Sequence, residues 1–228
     1  MKILTFDTAL NKTYITFGED DNILLSEILN SDKEKYHSAF LVPKLIDILK
    51  TYKIKAQDID VIGINTGPGS FTGIRICTVI ARTLAQQTNS KVIPVSSLEI
   101  LSLINKNENK SMIFTDARKN KFYTAVYSSD GEVLKQPSLI EKEKVLDIID
   151  TKEYTVITDD FCHDFLAENG ISSINYEYGE HDLGQNLYKI CLKKLGSTDD
   201  FHWAKAKPLY IQPPSITKSE KKGVKCIT

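Results

Sequence analysis

The chain has 228 residues, of which 41% are apolar, and its 29 Lys and Arg against 30 Asp and Glu leave a formal net charge of -1. A chain of this size buries about 70% of the surface its unfolded form exposes, so it needs neither disulfides nor a structural metal to hold a core. The balanced charge argues against a module that grips nucleic acid by itself, and no run approaches the roughly 20 apolar residues that span a bilayer.

In chain order, Ile3, Leu4 and Phe6 open a strand that ends at Asp7 and Thr8. Tyr14, Ile15 and Phe17 form a second strand, and a polar turn over 18–22 leads to a third over 23–29. These three read as a meander. After a polar stretch, apolar periodicity predicts a helix over 38–52 with Pro43 in its early turns. Val42, Ile46 and Leu49 are expected to face a sheet, with Leu41, Leu45 and Ile48 widening the apolar stripe sideways.

Val61, Ile62, Gly63, Ile64 and Asn65 then form an apolar run of the kind found in buried parallel strands. It feeds Thr66-Gly67-Pro68-Gly69-Ser70 and a helix over 71–88. Two glycines around a proline directly after a strand force a tight corner, and Ser70 or Thr72 can cap the helix that follows. The loop lacks the lysine of a phosphate-binding Walker loop and the spacing of a dinucleotide fingerprint, so a stiff strand-to-helix corner competes with a ligand loop. Along the helix, Gly73, Cys77, Ala81 and Ala85 recur every four residues beside a bulkier row of Ile76, Ile80 and Leu84. Such a small-residue stripe admits a close neighbour, either a partner or the home sheet.

A strand over 92–95, a helix over 98–104 capped by Ser96 or Ser97, and a polar linker over 105–110 follow. The pattern then restarts. Met112, Ile113 and Phe114 lead to Asp116-Ala117-Arg118, and a second strand runs from Phe122 to Tyr127, followed by a hairpin turn at 128–131 and a third strand over 132–134. Helices over 142–149, 162–169 and 182–195, with a strand over 154–157, complete the expected order, and a basic tail covers 219–228. The restart suggests either a duplicated unit or one mixed α/β sheet. The expected division is a first lobe over 1–104, a second over 110–205, and a terminal segment over 206–228 that returns to the first lobe before its frayed end.

Chemistry-bearing residues are sparse. His37, His163, His181 and His202 are scattered, and Cys77, Cys162, Cys191 and Cys226 form no C-x-x-C pair. No metal or cofactor is expected, and a reducing cytosol is the expected compartment. Asp7 and Asp116 both end strands, yet no glycine follows Asp7 in the turn to Asn11 as a phosphate loop would require, and strand-end turn roles are expected for both. No Gly-x-Ser-x-Gly elbow occurs.

The segment Gly67-Pro68-Gly69-Ser70-Phe71-Thr72-Gly73-Ile74-Arg75-Ile76 resembles the signature of the TsaB (YeaZ) family and its paralogue TsaD. The opening Ile3-Leu4-Thr5-Phe6-Asp7-Thr8, His37, Pro94-Val95-Ser96-Ser97-Leu98-Glu99, Asp116-Ala117-Arg118 and Pro208-Leu209-Tyr210-Ile211 are similar to further family landmarks. Cys77 stands where the family usually has glycine, and Gln212 where it usually has arginine. No His-x-x-x-His pair of the TsaD type occurs, which places the likeness with TsaB. The resemblance implies a two-lobed actin-like α/β fold of duplicated ribonuclease-H-like units and no active site of its own. It implies a scaffold that pairs with TsaD to make threonylcarbamoyladenosine in tRNA, meets TsaE and tRNA only through that complex, and forms a homodimer in isolation. It also places the partner contact in the first lobe, in agreement with the helix-packing pattern, from which Leu41, Leu45, Ile48, Gly73, Ile76, Cys77, Ile80, Ala81, Leu84 and Ala85 are the expected interface. An independent peptidase or small-molecule kinase of the same superfamily is the alternative.

Overall fold

The computed structural model describes residues 1–29, 40–178, 181–196 and 200–212. The first sheet contains β1 (Lys2–Asp7), β2 (Thr13–Glu19), β3 (Asn22–Leu29), β4 (Val61–Asn65) and β5 (Lys91–Val95), ordered β3-β2-β1-β4-β5. The second contains β6 (Lys110–Asp116), β7 (Lys121–Tyr127), β8 (Val133–Glu141), β9 (Tyr154–Thr158) and β10 (Ile174–Asn175), ordered β8-β7-β6-β9-β10. In each, an antiparallel meander is followed by one strand paired in parallel with its first strand and a further strand paired in parallel with that one, with Ile3 opposite Val61 and Ile113 opposite Ile157. Two ribonuclease-H-like units of identical topology make this the two-lobed actin-like fold.

The central strands are covered on both faces, which is why β1 and β4 read as near-continuous apolar runs. Leu4, Phe6, Ile62 and Ile64 point toward α1 (Leu41–Thr51) and α2 (Phe71–Thr88) in one core. Ile3, Val61 and Ile93 point the other way, into a second core shared with Leu187, Tyr188 and Cys191 of α5 (Leu183–Leu195). That core also takes in Leu98 and Leu101 of α3 (Ser97–Ser102) and Ile113, Ala125 and Tyr127 of the second sheet, so it joins the two units. A third core lies outside the second sheet, where Phe114, Phe122 and Val156 meet Cys162 and Leu166 of α4 (Asp160–Glu168).

The helices cross between units, and this corrects the expected boundary at 205. α5 lies against β1 to β5 of the first sheet, although its sequence follows the second, while α3 packs on β6 and β7. Gly63 admits this crossing helix closely, since a Cβ there would sit 2.3 Å from Cys191 Sγ. The segment after α5 also returns to the first sheet: Val92 N–H donates to Phe201 O at 2.9 Å, and Ala206 is buried beside α2.

Two local expectations change. The helix over 142–149 is replaced by two 3-10 turns, Lys142–Lys144 and Leu146–Ile148, in which no residue is buried; between them only Val145 is. A segment this short cannot offset the cost of helix nucleation without a buried face. β8 runs to Glu141, well past the expected 134. The caps resolve to Ser70, which accepts from Gly73 N–H, and Ser96, which accepts from Leu98 N–H. His37, Cys226, residues 38–39 of the expected first helix and the 219–228 tail lie outside the described residues.

Candidate functional site

The glycine-rich signature forms a corner fastened from three sides. Gly67 has φ of +103°, a left-handed conformation that disfavours any side chain, and its N–H donates to Asn65 Oδ1 at 2.8 Å. The same oxygen accepts from Ser97 Oγ at 2.8 Å, while Asn65 Nδ2 donates to Asp7 Oδ2 at 2.9 Å. Asp7 Oδ1 accepts from Ala9 N–H at 2.6 Å. Further along, Ser70 N–H donates to Ala9 O, and Thr8 Oγ1 donates to Gly73 O, both at 2.8 Å. Gly69 and Gly73 lie flat on this turn: a Cβ would come within 2.4 Å of Ala9 O and 1.8 Å of Thr8 O respectively. The signature therefore locks the turn after β1, the start of α2 and the start of α3 into one unit.

Asp7 sits wholly inside that unit. Burial pushes its carboxyl up to about 6, against the smaller opposing pull of the Asn65 and Ala9 donors. A carboxyl raised on folding adds stability below its unfolded value near 3.8, and this stability is lost as pH rises through about 6. The expected result is a fall in unfolding free energy between those values that Asp7→Asn removes, on the order of 2 kcal/mol across the interval. Urea denaturation at a series of pH values checks it, and parallel slopes for the two proteins would refute the assignment. Asp116, the matching residue of the second unit, accepts from Arg118 N–H at 2.7 Å, and its own N–H donates to Asp159. Both carboxylates thus serve turns.

Between the units lies a cleft of about 660 Å³ lined by Pro68 to Thr72 on one side, Asp116 to Lys119 and Tyr123 on the other, and Leu209 to Gln212. Arg118, Lys119 and Asn120 all have positive φ, between 52° and 62°. Among the described residues no three His, Cys, Asp or Glu side chains are placed to hold a metal ion.

The outer face of α1 and α2 corrects the expected interface. Cys77 and Ala81 are 0% and Ala85 1% exposed, and Gly73 is buried, because this row of small residues faces the home sheet. Leu41, Leu45 and Ile48 are buried as well, so the two rows of α1 are exchanged relative to expectation. The large aliphatic residues of the two helices that reach solvent are Val42 and Ile46, each 46% exposed, and Val79, 63% exposed, with Phe71 at the start of α2 43% exposed. Of the expected contacts, only Ile76, Ile80 and Leu84 stay half-buried. Val42, Ile46, Leu49, Ile80 and Leu84 border a narrow apolar groove of about 100 Å³ between the helices. Periodicity shows that α1 has two apolar rows; the contact of Thr8 with Gly73, across 65 positions, decides which way α2 turns.

Two arrangements bear on hydrolytic chemistry. Burial raises the thiols of Cys77, to about 12, and of Cys162 and Cys191 well above their ordinary value, opposite to what a nucleophile needs. His163 Nδ1 lies 2.8 Å from Ser173 Oγ, but among the described residues no carboxylate hydrogen-bonds to that imidazole to orient it.

Residues 23–160 match the family model described as TsaD: tRNA N6-adenosine threonylcarbamoyltransferase. The chain is 33% identical over 138 residues to the tRNA threonylcarbamoyladenosine biosynthesis protein TsaB of Bacillus subtilis, an alignment spanning 60% of this chain and 59% of that relative. It is 27% identical over 168 residues to TsaB of Buchnera aphidicola from Acyrthosiphon pisum, spanning 69% and 74%. Among solved structures, YeaZ from Pseudomonas aeruginosa superposes with a TM-score of 0.75 at 20% identity, covering 92% of this chain and 99% of that one.

Proposed function

Because the chain belongs to the TsaB (YeaZ) family, we propose that it is the non-catalytic scaffold subunit that supports the threonylcarbamoyltransferase TsaD in making threonylcarbamoyladenosine in tRNA. One observation carries the scaffold role: an apolar face on α1 and α2 stands open, whereas the strand-end Asp7 is sealed in a structural corner. The face built on Val42, Ile46, Ile80 and Leu84 is the proposed contact with TsaD, and with a second copy when TsaD is absent. TsaE and tRNA meet this chain through the assembled complex, which works in the cytoplasm. Among the described residues no helix is long and apolar enough to cross a membrane.

The test is co-purification of the full chain with TsaD from the same cell, followed by the Val42→Glu, Ile46→Glu double variant. Both positions are about half exposed, so the variant should melt like the wild type. Placing two carboxylates in an apolar contact should weaken binding by about tenfold or more. Tight binding by the folded variant would exclude this face. Failure of the wild type to bind TsaD would refute the subunit role.

A further inference from the structure

A second feature of α2 lies on the side away from α1. Arg75 and Arg82 are seven residues apart, so they share one face about 10 Å apart along the axis. Val79, 63% exposed, stands between them. Each guanidinium rests on an aromatic ring: Arg75 lies 3.7 Å from the Phe71 centroid and Arg82 5.5 Å from that of Trp203. Arg75 Nε also donates to Tyr210 Oη at 3.0 Å, which leaves the outer edge of the fork to face outward. Neither arginine pairs with a carboxylate among the described residues. No acidic residue occurs in α2, nor in the facing segment 203–212, which carries Lys207 and Lys205, the latter paired with Asp200 at 2.8 Å. Arg75, Val79, Arg82, Thr83, Pro208 and Tyr210 border a groove of about 500 Å³.

On a chain of net charge -1, this is a local cationic groove whose two braced arginines have no carboxylate partner among the described residues. Stacking fixes the planar forks and lowers the entropy lost when they engage a carboxylate two-pronged. The Val79 and Pro208 floor suits the side chains of a protein segment better than a phosphodiester backbone. We propose that this groove docks an acidic segment of a protein partner, with one carboxylate on Arg75, another on Arg82 and an apolar side chain over Val79. The inference rests on the scaffold reading above and assigns the segment to the same transferase subunit.

Affinity of the full chain for TsaD, measured at low and high salt, provides the test. Thr83 is exposed on the groove wall, so Thr83→Glu and Thr83→Lys place opposite charges there at similar length without disturbing the core. The expected results are wild-type binding that weakens with salt, a loss of about tenfold for Arg82→Gln, a comparable loss for Thr83→Glu, and none for Thr83→Lys. Melting temperatures should match throughout. Unchanged binding by folded Arg82→Gln and Thr83→Glu overturns the docking groove while leaving the subunit role intact. Absence of wild-type binding overturns both. If instead Arg82→Gln costs the isolated chain an affinity for tRNA and leaves TsaD binding unchanged, the groove is a phosphate site and this proposal is wrong.

Discussion

Ala81→Arg should unfold this chain rather than detach a partner from it. Ala81 is fully buried on the inward face of α2, in the core that contains Cys77, Ala85, Phe6 and Ile64. An arginine there has no route to water that avoids displacing the sheet. Overpacking a well-filled core costs about 1–3 kcal/mol, and an unpaired buried charge adds several more. The sum, roughly 5 kcal/mol or above, equals the whole stability of many domains. Circular dichroism and the yield of soluble protein should both collapse. Val79→Arg, two positions earlier and 63% exposed, should fold normally. An Ala81→Arg protein that melts within a few degrees of the wild type would mean that α2 does not turn this row inward.

That prediction marks where the sequence stops being decisive. The strand run Val61 to Asn65 and the glycine corner after it are legible because burial on both faces and a forced turn each leave a local signature. A restart at Met112 is visible, but whether it means a duplicated unit or one mixed sheet depends on long-range pairing, such as Ile3 with Val61 and Ile113 with Ile157. A repeat of small residues every four positions says only that something comes close. It does not say whether that is Thr8 of the same chain or a partner's helix. The rows of α1 are exchanged for the same reason: periodicity finds a wide apolar face but not which part of it meets the sheet, and the structure leaves Val42 and Ile46 outside.

The crossing of α5 was hidden from any local pattern. Asp182 caps it through Gln185 N–H, and its apolar spacing fits burial against either sheet. Its true neighbours are set by pairs such as Cys191 with Gly63, where the missing side chain on one strand makes room for a helix from the other end of the sequence. Tyr188 Oη donating to Asp20 O at 2.9 Å adds a polar tie across 168 positions. Site residues suffer likewise: Arg82 reads as an ordinary solvated arginine until Trp203 is seen beneath it.

Gly73→Ala should be the most damaging single methyl that the signature can receive. The added Cβ would stand 1.8 Å from Thr8 O and 2.6 Å from its carbonyl carbon, both backbone atoms that no rotamer change can move aside. Relief requires α2 to back away from the turn after β1, which stretches the Thr8 Oγ1 bond to Gly73 O and the Thr8 N–H contact with Cys77 Sγ. We expect a loss of about 3 kcal/mol, the upper end of the overpacking range, and at this chain length a fall in Tm of about 10 °C. The control is Gly170→Ala. Gly170 has φ of +74° with nothing within 4 Å of the added Cβ, so only the backbone strain of about 1 kcal/mol applies. Urea denaturation of both variants gives the comparison. Equal, mild losses would show that α2 can retreat from the turn at little cost; a threefold larger loss at Gly73 would show that the signature glycine holds this corner closed.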